Sequence, residues 1–134
     1  MGFTSAAEVV KYIGGIFEAA FQDDELSQKL RDTGVVLKFD LSDPETDLVV
    51  DMANGVVREG EGNLTIGATM TMAADVANAY WQGKENLPLA MAKGKIKVSG
   101  EIATLLRVAP LSQKLFPTYI ERLRRDGRDD LLVD

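Results

Sequence analysis

The sequence predicts an α+β domain: a five-stranded, mainly antiparallel sheet with helices covering one face. Three observations carry this. Between residues 35 and 72 apolar and polar side chains alternate, giving strands with one greasy and one mainly polar face. Before and after that stretch the apolar residues recur every three or four positions, the period of a helix packed on one side. The two periodicities are segregated, apart from one further strand among the C-terminal helices. No linker, internal repeat or low-complexity segment divides the 134 residues. Residues 1–134 are therefore expected to form a single domain, large enough to bury about two-thirds of its unfolded surface.

Each element has its own signal. Ser5-Ala6-Ala7-Glu8 has the spacing of a capping box, and Val9, Val10, Ile13, Ile16, Phe17, Ala20 and Phe21 follow as one stripe. Gly14-Gly15 interrupts that helix, at a cost of about 1 kcal/mol per glycine relative to alanine. A second helix, Leu26 to Arg31, starts behind Asp23-Asp24-Glu25 and ends at Gly34. Val35, Leu37, Phe39 and Leu41 mark the first strand, and Leu48, Val50 and Met52 the second. Asn54-Gly55 is the strongest hairpin signal, returning the chain through Val56 to Arg58. A fourth strand is expected from Leu64 to Met72. Asp75 is the expected cap of a helix over 76–82, and Asn86 of another that ends at Gly94. Lys95 to Val98 reads as the fifth strand. Ile102, Leu105, Leu106 and Ala109 form a helical stripe that Pro110 is expected to stop. Pro117 precedes a last amphipathic helix with Tyr119, Ile120 and Leu123, and residues after 126 are expected to fray.

Composition narrows the chemistry. The chain has no His and no Cys, which excludes Ser-His and Cys-His nucleophile pairs, disulfides and the usual zinc sites. Neither Gly-x-Ser-x-Gly nor Ser-x-x-Lys occurs, and Gly60-Glu61-Gly62 lacks the third glycine of a dinucleotide loop. The acids Asp40, Asp43, Glu45, Asp47 and Asp51 do not fit a calcium loop: from Asp40, Pro44 and Glu45 take the fifth and sixth positions, where a ligand and the bend glycine belong. No catalytic residue, metal ligand or cofactor site is expected.

The net charge of −6 makes the chain a poor nucleic-acid binder. The charge is uneven: residues 1–67 carry 5 basic and 13 acidic side chains, whereas residues 84–128 carry 10 and 4. Met1 to Ser5 has neither the basic start nor the apolar run of a secretory signal, and no run of about 18 apolar residues occurs. The expected compartment is the cytoplasm.

Apolar side chains remain. Met52, Met70, Met72 and Met91 are soft and unbranched, suited to an irregular core or to a pocket that adapts to its occupant. Trp81 reads as a packing anchor.

The run Thr71-Met72-Ala73-Ala74-Asp75-Val76, then Gly83-Lys84, then Gly94-Lys95-Ile96-Lys97-Val98-Ser99-Gly100 and Leu105-Leu106, resembles the sterol carrier protein type 2 family. The strand Val36-Leu37-Lys38-Phe39-Asp40 and its hairpin at Asn54-Gly55 share the resemblance, which covers nearly the whole chain. Where the family usually has an aromatic pair before that strand's glycine, this chain has Leu89-Ala90-Met91. The resemblance implies an apolar cavity between sheet and helices and non-covalent binding of a sterol, fatty acid, acyl-CoA or similar lipid, with no catalytic constellation. It also implies a second possibility, an accessory subunit docking on a lipid-metabolising enzyme with a reduced pocket. Transient membrane contact fits either. Phe39, Met52, Met70, Met72, Met91, Ile102, Leu105, Leu106, Leu115, Tyr119 and Leu123 are the expected cavity wall. A ligand-sized cavity encloses about 300 Å³ or more. The segment 117–128 is the expected lid, with Arg107 and Arg122 at the entrance rim to meet an anionic end.

Overall fold

The computed structural model describes residues 2–133. Its element order is α1 (Ala6–Val9), a π turn (Val10–Gly14), α2 (Gly15–Phe21), α3 (Asp24–Thr33), β1 (Val36–Ser42), β2 (Thr46–Asp51), β3 (Val56–Glu59), β4 (Ala68–Ala73), α4 (Ala74–Trp81), α5 (Leu87–Ala92), β5 (Lys97–Gly100), α6 (Ile102–Gln113), α7 (Phe116–Arg125) and a closing 3₁₀ turn (Asp129–Leu131). The five strands form one sheet in the order β3-β2-β1-β4-β5.

The sheet is mostly antiparallel but not a simple meander. β1 and β4 run parallel, with Phe39 opposite Met70 and Leu41 opposite Met72. A parallel neighbour needs a crossover. Residues 60–67 make it on the face away from the helices. Lys38 Nζ meets Glu61 Oε1 at 2.8 Å there, and the Gly67 amide donates to the Val36 carbonyl. That role takes Leu64 and Ile66 out of β4, which begins only at Ala68.

Register sets the inner face. Leu37, Phe39 and Leu41 align with Leu48 and Val50 of β2 and with Ala68, Met70 and Met72 of β4, and all are buried. α4 lies across β1 and β4, and the π turn across β2 and β3. There Gly14 faces Leu48 and Val57. At the far edge, Gly100 has φ of +91° and its Cα faces the Gly67 carbonyl so closely that a side chain would collide with it.

Helix ends partly follow the expected caps. The Asp23 carboxylate accepts from the Leu26 amide and the Asn86 side chain from the Leu89 amide. Ser5 Oγ accepts from Glu8 N, but the Glu8 carboxylate accepts from Thr4 rather than closing the box on Ser5. Asp75 is not a cap: α4 starts at Ala74, two residues earlier than expected, so Asp75 lies in its first turn. Pro110 does not stop α6, which runs through it to Gln113. Pro110 and Leu106 are both exposed, and the Leu106 carbonyl lacks the amide it would normally receive.

The C-terminal end corrects two expectations. α7 is not a loosely held lid. Tyr119 and Leu123 are fully buried, and Arg122 Nη1 donates to the Gly15 carbonyl at 3.0 Å. Nor does the chain fray after residue 126. The Leu131 carbonyl accepts from Asn78 Nδ2 (2.8 Å) and Gln82 Nε2 (2.9 Å), and Gln82 Oε1 accepts from the Val133 amide. Leu131 itself is buried. Arg128 ties the tail to the N-terminus through Glu8 (2.8 Å) and pairs with Asp130. A tail frays when its backbone groups have only water as partners; here buried amides supply them.

Candidate apolar ligand site

The sheet and helices meet in an apolar seam. From the sheet come Leu37, Phe39, Met70 and Met72; from the helices come Phe17, Ala77, Tyr80, Trp81, Leu87, Leu105, Val108, Ala109 and Ser112. The enclosed space is about 30 Å³. That is about a tenth of the roughly 300 Å³ expected of a preformed ligand cavity, so no such cavity stands open and the two layers pack on each other. Trp81 fills the middle, edge-on to Phe17, Tyr80 and Phe116. The packing-anchor reading of Trp81 thus describes how the seam is filled.

Outside it lies a groove of about 650 Å³, bounded by the α4–α5 connection and the outer side of α6. Groove and seam share three residues, Tyr80, Leu87 and Ala109. These form the boundary between solvent and interior. At this boundary the Tyr80 hydroxyl lies 2.6 Å from Ser112 Oγ, tying α4 to α6. Ser112 Oγ donates to the Ala109 carbonyl at 2.7 Å. A serine hydroxyl has one proton, so Tyr80 is the donor of the pair. Burial pushes the Tyr80 phenol above its ordinary pKa, opposed by the Ser112 bond, and keeps it protonated at neutral pH.

Of the expected wall, Phe39, Met70, Met72 and Leu105 meet at the seam. Met52 is fully buried in the core without lining it, and Met91 packs half-buried against the core. Tyr119 and Leu123 belong to the core behind Trp81. Leu115 borders a surface hollow with Leu26 and Thr118. Ile102 and Leu106 correct the inward expectation: they are 41% and 49% exposed, because α6 buries Thr104, Leu105, Val108 and Ser112 instead. Neither expected rim cation borders the mouth. Arg122 sits against Gly15, and the exposed Arg107 donates to Thr104. Lys84 lines the groove.

Sequence reasoning placed neither Phe17, Leu37, Ala77, Leu87, Val108 and Ala109 nor Tyr80, Trp81 and Ser112 in the wall. Tyr80 and Ser112 are polar, and only their partnership across two helices marks them. Among the described residues no cluster of acidic side chains is arranged to hold a metal ion.

The family model described as the SCP-2 sterol transfer family matches residues 16–113, the span that builds the sheet and the seam. This chain belongs to that family. Solved SCP-2 structures agree in fold. The apo sterol carrier protein 2 of Yarrowia lipolytica is 16% identical over 75% of this chain and 87% of its own, with a TM-score of 0.64. The sterol carrier protein domain 2 of Helicoverpa armigera is 24% identical over 81% and 89%, with a TM-score of 0.67. A UbiJ-SCP2 ubiquinone synthesis protein is 18% identical over 81% and 96%, with a TM-score of 0.64. No curated protein sequence matches this one. Family membership supports binding or transfer of a lipid.

Proposed function

We propose that this chain is a non-catalytic, cytoplasmic lipid-binding domain whose seam opens to admit an apolar ligand and hands it on. The observation that carries the reading is the juxtaposition of seam and groove: thirteen mainly apolar residues converge inside, and Tyr80, Leu87 and Ala109 line both the seam and a groove of about 650 Å³. Soft Met70 and Met72 on the sheet side adapt to different occupants. An apolar wall of this kind distinguishes poorly between chains differing by a methylene, so the reading commits to a lipid and not to one molecule.

The small enclosed volume favours a second reading, an accessory subunit that docks on a lipid-metabolising enzyme while its seam stays filled. The likeness to a ubiquinone synthesis protein is compatible with it. One experiment separates the two. The purified protein is extracted with organic solvent for mass spectrometry and titrated with the neutral fluorescent probe N-phenyl-1-naphthylamine. Lipid in the extract and saturable probe binding are expected, and Ala109→Trp, which plugs the boundary, is expected to abolish probe binding while the domain stays folded. No extracted lipid together with no probe binding overturns the carrier reading in favour of the accessory one.

A further inference from the structure

We infer that the Tyr80–Ser112 hydroxyl pair is the polar anchor of the seam, and that the seam takes an apolar ligand carrying a neutral oxygen function rather than an ionised carboxylate. The inference rests on the lipid-binding reading above and adds the chemistry of the ligand's polar end. The residues around the seam include no charged side chain. Their side-chain polar groups are the Tyr80 hydroxyl, the Ser112 hydroxyl and the Trp81 indole N–H. A carboxylate moved into such surroundings loses its hydration and meets no cation, which is far costlier than burying a hydroxyl or carbonyl that finds a hydrogen bond.

The hydrogen-bond direction makes the pair an exchangeable anchor. Ser112 Oγ has committed its proton to the Ala109 carbonyl, one turn back on its own helix. Tyr80 therefore donates to Ser112 across the seam at 2.6 Å. When α6 moves away from α4 the phenol loses this acceptor. A ligand oxygen at the mouth replaces it one for one, while Ser112 keeps its bond to Ala109. Any acceptor oxygen suffices: an alcohol, a ketone or quinone carbonyl, or an ester. The nearest cation lining either space, Lys84, sits in the outer groove and does not line the seam.

The test is displacement of N-phenyl-1-naphthylamine by dodecanol, dodecane and laurate below their aggregation limits at pH 8, for the parent, Tyr80→Phe and Ser112→Ala. In the parent, dodecanol is expected to displace the probe at concentrations about tenfold below those of dodecane and of laurate. In Tyr80→Phe the preference for dodecanol over dodecane is expected to fall to about one; this ratio is unaffected by any general loosening of the seam. In Ser112→Ala the phenol has lost its internal acceptor, so dodecanol affinity is expected to rise several-fold. The anchor is overturned if laurate competes better than dodecanol, if Tyr80→Phe keeps the parent's ratio, or if Ser112→Ala loses dodecanol affinity. Probe binding without a head-group preference sinks this inference alone, whereas absence of probe binding in the parent sinks the lipid-binding reading itself.

Discussion

Asn78 holds three bonds at once. Its Oδ1 accepts from the Tyr119 hydroxyl (2.7 Å) and Gln82 Nε2 (3.0 Å), and its Nδ2 donates to the Leu131 carbonyl. All three side chains are buried. Deep burial raises the Tyr119 phenol far above its ordinary pKa, so it remains a donor across the accessible pH range. Removing one partner from such a network leaves others unsatisfied, at about 1–3 kcal/mol for each buried group. Asn78→Ala is therefore expected to lose about 2–4 kcal/mol in a urea melt. Amide exchange is expected to quicken first in residues 129–133. A second prediction concerns Glu8, Asp126 and Asp130, all held below the ordinary carboxylate range. For Glu8 the Thr4 amide is the main cause, with Arg128 next; for Asp126 it is the Tyr12 hydroxyl; for Asp130 it is Arg128. A carboxyl with a depressed folded-state pKa stabilises the fold above its unfolded value, and that contribution disappears as pH falls through the folded value. Stability attributable to these groups is expected to be level from neutral pH to about 5 and to decline below about 4. Thermal melts of the parent and Glu8→Gln across pH 3–7 check it: the variant's melting temperature should fall less steeply with acid.

At the scale of elements, α7 decides whether the helical layer holds. Its buried face puts Tyr119 beside Trp81 and Leu123 in the core, and Arg122 reaches the turn between the π segment and α2. Removing one large buried aliphatic side chain typically costs about 2–5 kcal/mol, and loss of the helix removes several. A chain truncated after residue 116 is expected to lose its cooperative melt and its near-ultraviolet dichroism, whereas one truncated after residue 128 is expected to melt cooperatively at lower temperature. A folded 1–116 fragment would restore the lid role for this helix. The element better placed to move is α6. Pro110 deprives the Leu106 carbonyl of its helical partner, and Ile102 and Leu106 face outward.

For the whole molecule, the closed seam makes ligand entry a conformational event. A space of about 30 Å³ admits no lipid until the helical layer shifts from the sheet. When the binding-competent form is a minor population, apparent affinity is reduced by that fraction, and entry cannot outpace opening. In stopped-flow mixing with excess N-phenyl-1-naphthylamine, the observed rate is expected to level off with concentration. A rate that rises linearly throughout would mean that no opening step limits entry.

The strands, most helix positions and the family could be read from residues alone. Alternation from Val35 to Met52 and the Asn54-Gly55 hairpin are local signals, each set by neighbours a few positions away; the fifth strand, read at Lys95–Val98, lies two residues later, at Lys97–Gly100. Phe39, Met70 and Met72 were legible as seam residues for the same reason, because alternation on a strand tells the inner face from the outer. The parallel pairing of β1 with β4 was not legible, since it depends on which face the 60–67 connection crosses. Nor was the docking of Leu131 on Asn78 and Gln82, partners 53 and 49 positions away in sequence. Ile102 and Leu106 were misplaced because a helical stripe shows that one side is apolar, not which of its flanks meets the sheet. The volume of the seam is the remotest from sequence. It is a small difference between the space that sheet and helices enclose and the volume that Phe17, Trp81 and Leu105 fill. Side chains this far apart in the chain meet only after the fold has formed, so tertiary packing alone decided that the site is closed and that Tyr80 stands at its mouth, bonded to the buried Ser112.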